Sequence, residues 1–163
     1  MIFRLSAKLG KKIKCPPTRP LPAHENPYAD WSAHLFVADR AQYILVTNTV
    51  SLYSLVMFGR GITNDGEFLK RAITYLGELM EHDGYQFIRE RVFTPETGRI
   101  SFAKALNRSV TGSMNDLVFN AQIILTKEEI SPYDVSYKLN DIPMSYLSYD
   151  RPHDAFGQME IKR

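Results

Sequence analysis

The chain has 163 residues, of which 44% are hydrophobic, 12% aromatic and 23% charged, ordinary proportions for one globular domain with a sizeable core. Lys and Arg number 20 against 18 Asp and Glu, a formal net charge of +2, so bulk charge does not argue for nucleic acid and any basic surface must come from local clustering. The single cysteine, Cys15, excludes an intrachain disulfide and a paired-cysteine zinc site; no apolar run approaches the roughly 18 residues of a membrane helix, so a cytoplasmic protein without a membrane partner is expected.

The opening "MIFRLS" reads as a short strand, and Leu5, Leu9 and Ile13 at four-residue spacing predict a brief helix with Lys8, Lys11 and Lys12 outside its apolar line. This segment is cationic but has no continuous apolar core of a signal peptide. The proline-rich "CPPTRPLPAHENPY" then predicts an extended surface loop, because proline fixes φ and removes backbone donors. Next come "AHLFVA", "QYILVTN" and "SLYSLVMF", rich in β-branched and aromatic residues and parted by "DRA" and "NTV", the pattern of an antiparallel meander.

The clearest helix is "TNDGEFLKRAITYLGELMEHDG": Thr63, Asn64 or Asp65 caps its start, Phe68, Leu69, Ala72, Ile73, Leu76, Leu79 and Met80 share a face, and Gly84 ends it. "FIRERVFT" and "RISFAKAL" flank "PETG" and predict a further hairpin, with helix as an alternative near Phe87. A helix over 110–126 follows. "SPYDVSYKLND" offers Ser131 as N-cap and Pro132 at the first helical position, and Pro143 stops that helix. In the tail, Tyr146, Leu147 and Tyr149 are expected to pack on the body.

The stretch "KALNRSVTGSMNDLVFNAQ" carries the densest polar chemistry. At 100 degrees per residue Val110, Met114, Leu117, Val118, Ala121, Ile124 and Leu125 form an apolar stripe flanked by Ser109, Ser113, Asp116 and Asn120. A helix start presents unpaired N–H groups and the positive end of its dipole. With Lys104 and Arg108 nearby, that combination suits a phosphate or carboxylate, with Asn107, Ser109 and Ser113 as further contacts. It matches neither the Walker phosphate loop nor the dinucleotide glycine fingerprint. The alternative is a structural latch, in which Ser109 caps the helix, Asn107 closes the preceding turn and Asp116 holds an arginine.

Elsewhere, His24, Glu25, Asp30 and His34 in "HENPYADWSAHLF" do not have a recognisable metal-ligand spacing, so no metal and no cofactor is implied. Asp39 and Arg40 fall at a hairpin turn, where Arg40 could act as an anion clamp. Arg4, Lys8, Lys11, Lys12, Lys14 and Arg19 are the one marked charge asymmetry, read as a solvated face or a phosphate contact. Trp31 is expected at the edge of the core.

"MIFRLSAKLGKKIK", "NPYADWSAHLFVADRAQYILVTNTVSLYS" and "KALNRSVTGSMNDL" together resemble a bacterial family described only as a domain of unknown function, with members of about this length. The resemblance implies one domain over nearly the whole chain and carries over no catalytic residue.

The expected fold is α+β: an antiparallel sheet of four to six strands built around 33–58 and 87–106, covered mainly on one face by about three helices near 64–82, 110–126 and 132–140. The expected function is a domain binding a phosphate-bearing ligand, a nucleotide or RNA, at the polar helix start. One alternative is a metal-independent phosphodiesterase or ribonuclease-like hydrolase with His34 or Asp116 as general base and Arg108 as electrostatic stabiliser. The other is a non-catalytic interaction or oligomerisation domain.

Overall fold

A computed structural model describes residues 1–161. In chain order the elements are β1 (Ile2–Leu5), α1 (Ala7–Lys12), β2 (Asp30–Ala38), β3 (Ala41–Asn48), β4 (Ser54–Phe58), α2 (Asp65–His82), α3 (Gln86–Ile88), β5 (Ser101–Ala103), α4 (Arg108–Lys127), α5 (Pro132–Asn140) and α6 (Pro152–Gly157). The five strands lie in the order β4-β3-β2-β1-β5. β2, β3 and β4 form the expected meander. The sheet is nevertheless mixed rather than antiparallel, because β1 inserts between β2 and β5 and runs parallel to both.

Helices cover both faces, which corrects the expectation of one covered face and about three helices. One layer packs Leu9, Phe68, Ala72, Leu76 and Leu79 against Phe3, Trp31, Ala33, Ile44, Val46, Leu55 and Met57. The other packs Val110, Met114, Leu117, Ala121, Val135 and Leu139 against Phe36, Tyr43, Leu45 and Val56. The physical signal was present in "YILV": Tyr43, Ile44, Leu45 and Val46 are all buried, and a strand apolar at consecutive positions is buried on both faces.

The second hairpin is absent. Residues 86–98 instead form successive short helical turns, and only Ser101–Ala103 form a strand. Ile88 and Val92, four apart, face the core together, and Phe93 is buried edge-on against Trp31 at 5.9 Å. That spacing is helical, and it prevails over the β-branched composition. Trp31 is in the core itself, with no exposed surface. The tail is anchored by Met144 and Phe156, whereas Tyr146 and Tyr149 are exposed.

The proline-rich loop is held by a buried ion pair. Arg4 on β1 donates from Nε and Nη2 to the two carboxylate oxygens of Asp30 on β2, each at 2.8 Å. Its remaining donors reach the carbonyls of Leu21 at 2.8 Å and Pro22 at 3.0 Å, and the His24 amide donates to Asp30. Proline removed donors from this loop, and a guanidinium now satisfies two of its acceptors. Arg4 therefore does not belong to a basic surface.

Candidate functional site

At the start of α4 the cap is Asn107 and not Ser109: Asn107 Oδ1 accepts from the Val110 amide at 2.9 Å. Ser109 contributes its carbonyl, which accepts from the nearly buried Ser113 hydroxyl at 2.9 Å. Lys104, Arg108, Ser109 and Asp116 are exposed. Asp116 holds no arginine among the described residues; its carbonyl accepts from Asn120 instead. The Arg108 and Ser109 amides donate to nothing within the described residues.

His34 projects from β2 on the side of the sheet that α4 covers. It is partly buried, its pKa is lowered by desolvation, and it makes no side-chain hydrogen bond among the described residues. No bond joins it to Asp116 or Arg108. His24 and Asp30 are engaged locally: His24 Nδ1 accepts from the Asn26 amide and Asp30 holds Arg4.

Arg40 is far from that helix start. Gln122, in the C-terminal half of α4, donates to the Val37 carbonyl at 2.9 Å, next to the β2–β3 turn. Arg108 precedes Gln122 by four turns of helix, roughly 20 Å at 1.5 Å per residue. The sequence-derived ligand set thus falls into two places, with Arg40 at one end of the helix and Lys104, Asn107, Arg108, Ser109 and Ser113 at the other.

Around Arg40 the chain builds a basic concavity of about 500 Å³, lined by Lys12, Arg40, Gln42, Phe58, Arg60 and Gly61 with Ala41. Three elements converge here. Lys12 is in the last turn of α1, Arg40 occupies the β2–β3 turn, and Arg60 and Gly61 follow β4. Lys12 Nζ donates to Gln42 Oε1 at 2.8 Å, a contact that positions the ammonium without neutralising it. Arg71 of α2 donates to the Arg60 carbonyl at 3.0 Å. Gly61 has φ +83°, and a Cβ there would stand 3.2 Å from the Arg71 guanidinium, so glycine serves both the left-handed backbone and the close approach.

Among the described residues none of Lys12, Arg40, Arg60 and Arg71 makes an ion pair. Asp39, beside Arg40 in the turn, is exposed and does not line the cavity. The turn itself is tight: Ala38 pairs with Ala41, and Asp39 and Arg40 hold φ of 45° and 65°. Two positive φ values are what a type I′ two-residue hairpin turn requires, and glycine is the favoured second residue. An arginine there bears backbone strain. Sequence reading singled out Arg40 and counted Lys12 in the N-terminal cluster but missed Arg60 and Arg71, which join them only through folding.

A second polar cluster lies at the end of α2. Tyr53 donates to Asp83 at 2.5 Å and Tyr85 to the His153 carbonyl at 2.7 Å. Burial, then Asp83, drives the Tyr53 pKa far up; burial, then Asp154, pushes Tyr85 to about 12. These hydroxyls are partly buried hydrogen-bond donors at the margin of the core, and their anionic forms are disfavoured.

No helix among the described residues is long and apolar enough to cross a membrane. No curated protein and no solved structure matches the chain. The model of a family described as a domain of unknown function, DUF6933, matches residues 2–155, so the chain belongs to that family.

Proposed function

We propose that this DUF6933 protein is a binding domain for a phosphate-bearing ligand, held in the cradle of Lys12, Arg40 and Arg60. The observation that carries this reading is the convergence of those cations, with Arg71 behind them, on one concavity where no carboxylate among the described residues pairs with them. Guanidinium groups match phosphate oxygens through paired donors, and unneutralised cations in a concave site attract anions from a distance. His34 and Asp116 do not line this cavity. Binding without turnover is therefore favoured over the hydrolase alternative, which needs an acid or base within reach of the anion.

A second reading keeps the anion at the start of α4, where Lys104 and Arg108 are exposed and the Arg108 and Ser109 amides have no partner among the described residues. Titration with pyrophosphate at low salt separates the two. Combined Lys12→Ala, Arg40→Gly and Arg60→Ala is expected to abolish binding, and Lys104→Ala with Arg108→Ala to leave it. The reverse result moves the site to α4, and a wild type that binds no phosphate compound refutes both. Affinity should fall with ionic strength, because salt screens contacts between exposed charges.

A further inference from the structure

The cradle shares Phe58 with a second concavity. On the other side of that residue a groove of about 310 Å³ runs between α2 and the start of α5, lined by Val56, Met57, Phe58, Arg71, Tyr75 and Tyr133 among others. Phe58 lines both concavities, and Arg71 lines the groove while bonding to Arg60 of the cradle. Phe58 is 52% exposed and Tyr75 37%, large for aromatic side chains. An aromatic groove beside a cationic cradle, with Phe58 common to both, is the arrangement that takes a base together with its phosphate.

The backbone adds a donor and an acceptor. β4 is an edge strand, and its outward groups are filled in turn: the Ser54 N–H and C=O by the Asn140 side chain, and the Val56 N–H by the Ser136 hydroxyl. Alternation along a strand makes Phe58 the next residue to face outwards. The Gly59 amide, one residue on, donates inwards to Gln42, which agrees with that register. Among the described residues no group bonds to the Phe58 N–H or C=O.

We propose that the groove seats the base of a nucleotide whose phosphate lies in the cradle, with the Phe58 N–H and C=O hydrogen-bonding the base edge and Tyr75 and Tyr133 flanking the ring. Asn140 shows what this backbone pair accepts, since its carboxamide presents an adjacent acceptor and donor to the equivalent pair on Ser54. Every nucleobase offers such a neighbouring donor and acceptor on its Watson–Crick edge. An extended peptide fits less well, because α5 has already closed the edge at Ser54 and Val56 and leaves one residue to pair. Phe58 and Arg60 are two residues apart, at most about 7 Å along the chain, a span that one ribose bridges. The inference rests on the phosphate reading and deepens it.

The test compares ribose 5-phosphate, the four 5′-mononucleotides and a short 5′-phosphorylated RNA at low salt. At least one mononucleotide is expected to bind about tenfold more tightly than ribose 5-phosphate, the scale of one base stacked on an aromatic ring. Tyr75→Ala should remove most of that difference and leave ribose 5-phosphate unchanged. The Phe58 amide resonance should shift with the nucleotide and stay still with the sugar phosphate. Tighter binding of the RNA assigns a strand end and equal binding a free nucleotide, and either supports the base seat. Equal affinities for ribose 5-phosphate and every mononucleotide overturn it while leaving the phosphate reading intact. Failure of all the probes overturns both.

Discussion

The Asn140 carboxamide caps both backbone groups of Ser54, accepting from its N–H at 2.7 Å and donating to its C=O at 2.9 Å. A side chain of α5 thus takes the place of a further strand. With the Ser136 hydroxyl on the Val56 amide at 2.8 Å, it closes most of the β4 edge, which would otherwise be open to another chain.

Asn140→Ala is therefore expected to cost about 2 kcal/mol, because it leaves a buried donor and a buried acceptor unsatisfied. Urea denaturation measures it. A loss smaller than about 0.5 kcal/mol, the range of an ordinary surface change, would show that the edge is satisfied in another way.

Arg40→Gly should act in opposite directions on stability and binding. Relief of a left-handed non-glycine residue is worth about 1–2 kcal/mol, and the added chain entropy of glycine takes back about 0.5–1 kcal/mol. A small net rise in stability is expected together with weaker pyrophosphate binding. Thermal melts and titration of the same variant check both, and unchanged binding would remove Arg40 from the cradle.

The start of α4 separates a cap from a contact. Asn107→Ala should lower stability by about 1 kcal/mol, since its carboxamide satisfies the Val110 amide. Arg108→Ala and Ser109→Ala, both exposed, should change stability by no more than about 0.5 kcal/mol. A large loss in either would mark the polar stretch as a wider latch.

Alkaline stability follows from the buried tyrosines. Burial and Asp83 raise the Tyr53 pKa above its ordinary value of 10.0, and burial likewise raises Tyr28, Tyr85, Tyr133 and Tyr137. Above that ordinary value the unfolded chain has lost protons that the native state retains, so stability present at lower pH declines as pH rises. Denaturation between about pH 9 and 12 should show this decline. Tyr53→Phe should flatten it even though the variant loses a hydrogen bond at neutral pH, and a slope unchanged by Tyr53→Phe would assign the decline to other groups.

Much of the fold was written locally. The caps Asn64 and Ser131, the stop at Gly84 and the meander of β2 to β4 follow from residue type and spacing, because capping, left-handed glycine and strand alternation are decided within a few residues. The family model matches residues 2–155, nearly the whole chain, as the resemblance implied.

What the tertiary structure decided are the relations between distant segments. The central position of β1 depends on parallel pairing with partners at Asp30 and Ser101, and no local pattern encodes which strands a short buried strand will join. Residues 86–98 carry helical spacing at Ile88 and Val92, but the contact of Phe93 with Trp31 across the core joins segments some 60 residues apart and is not local. Arg4 looked like one of several surface cations until Asp30 and the loop carbonyls enclosed it. The same charge type at Lys12, Arg40 and Arg60 lines one concavity only because a helix end, a hairpin and the segment after β4 meet at one end of the sheet. Whether a cation is buried in a pair or left facing a cavity depends on which carboxylates folding brings near it, and the linear order of residues does not contain that distance.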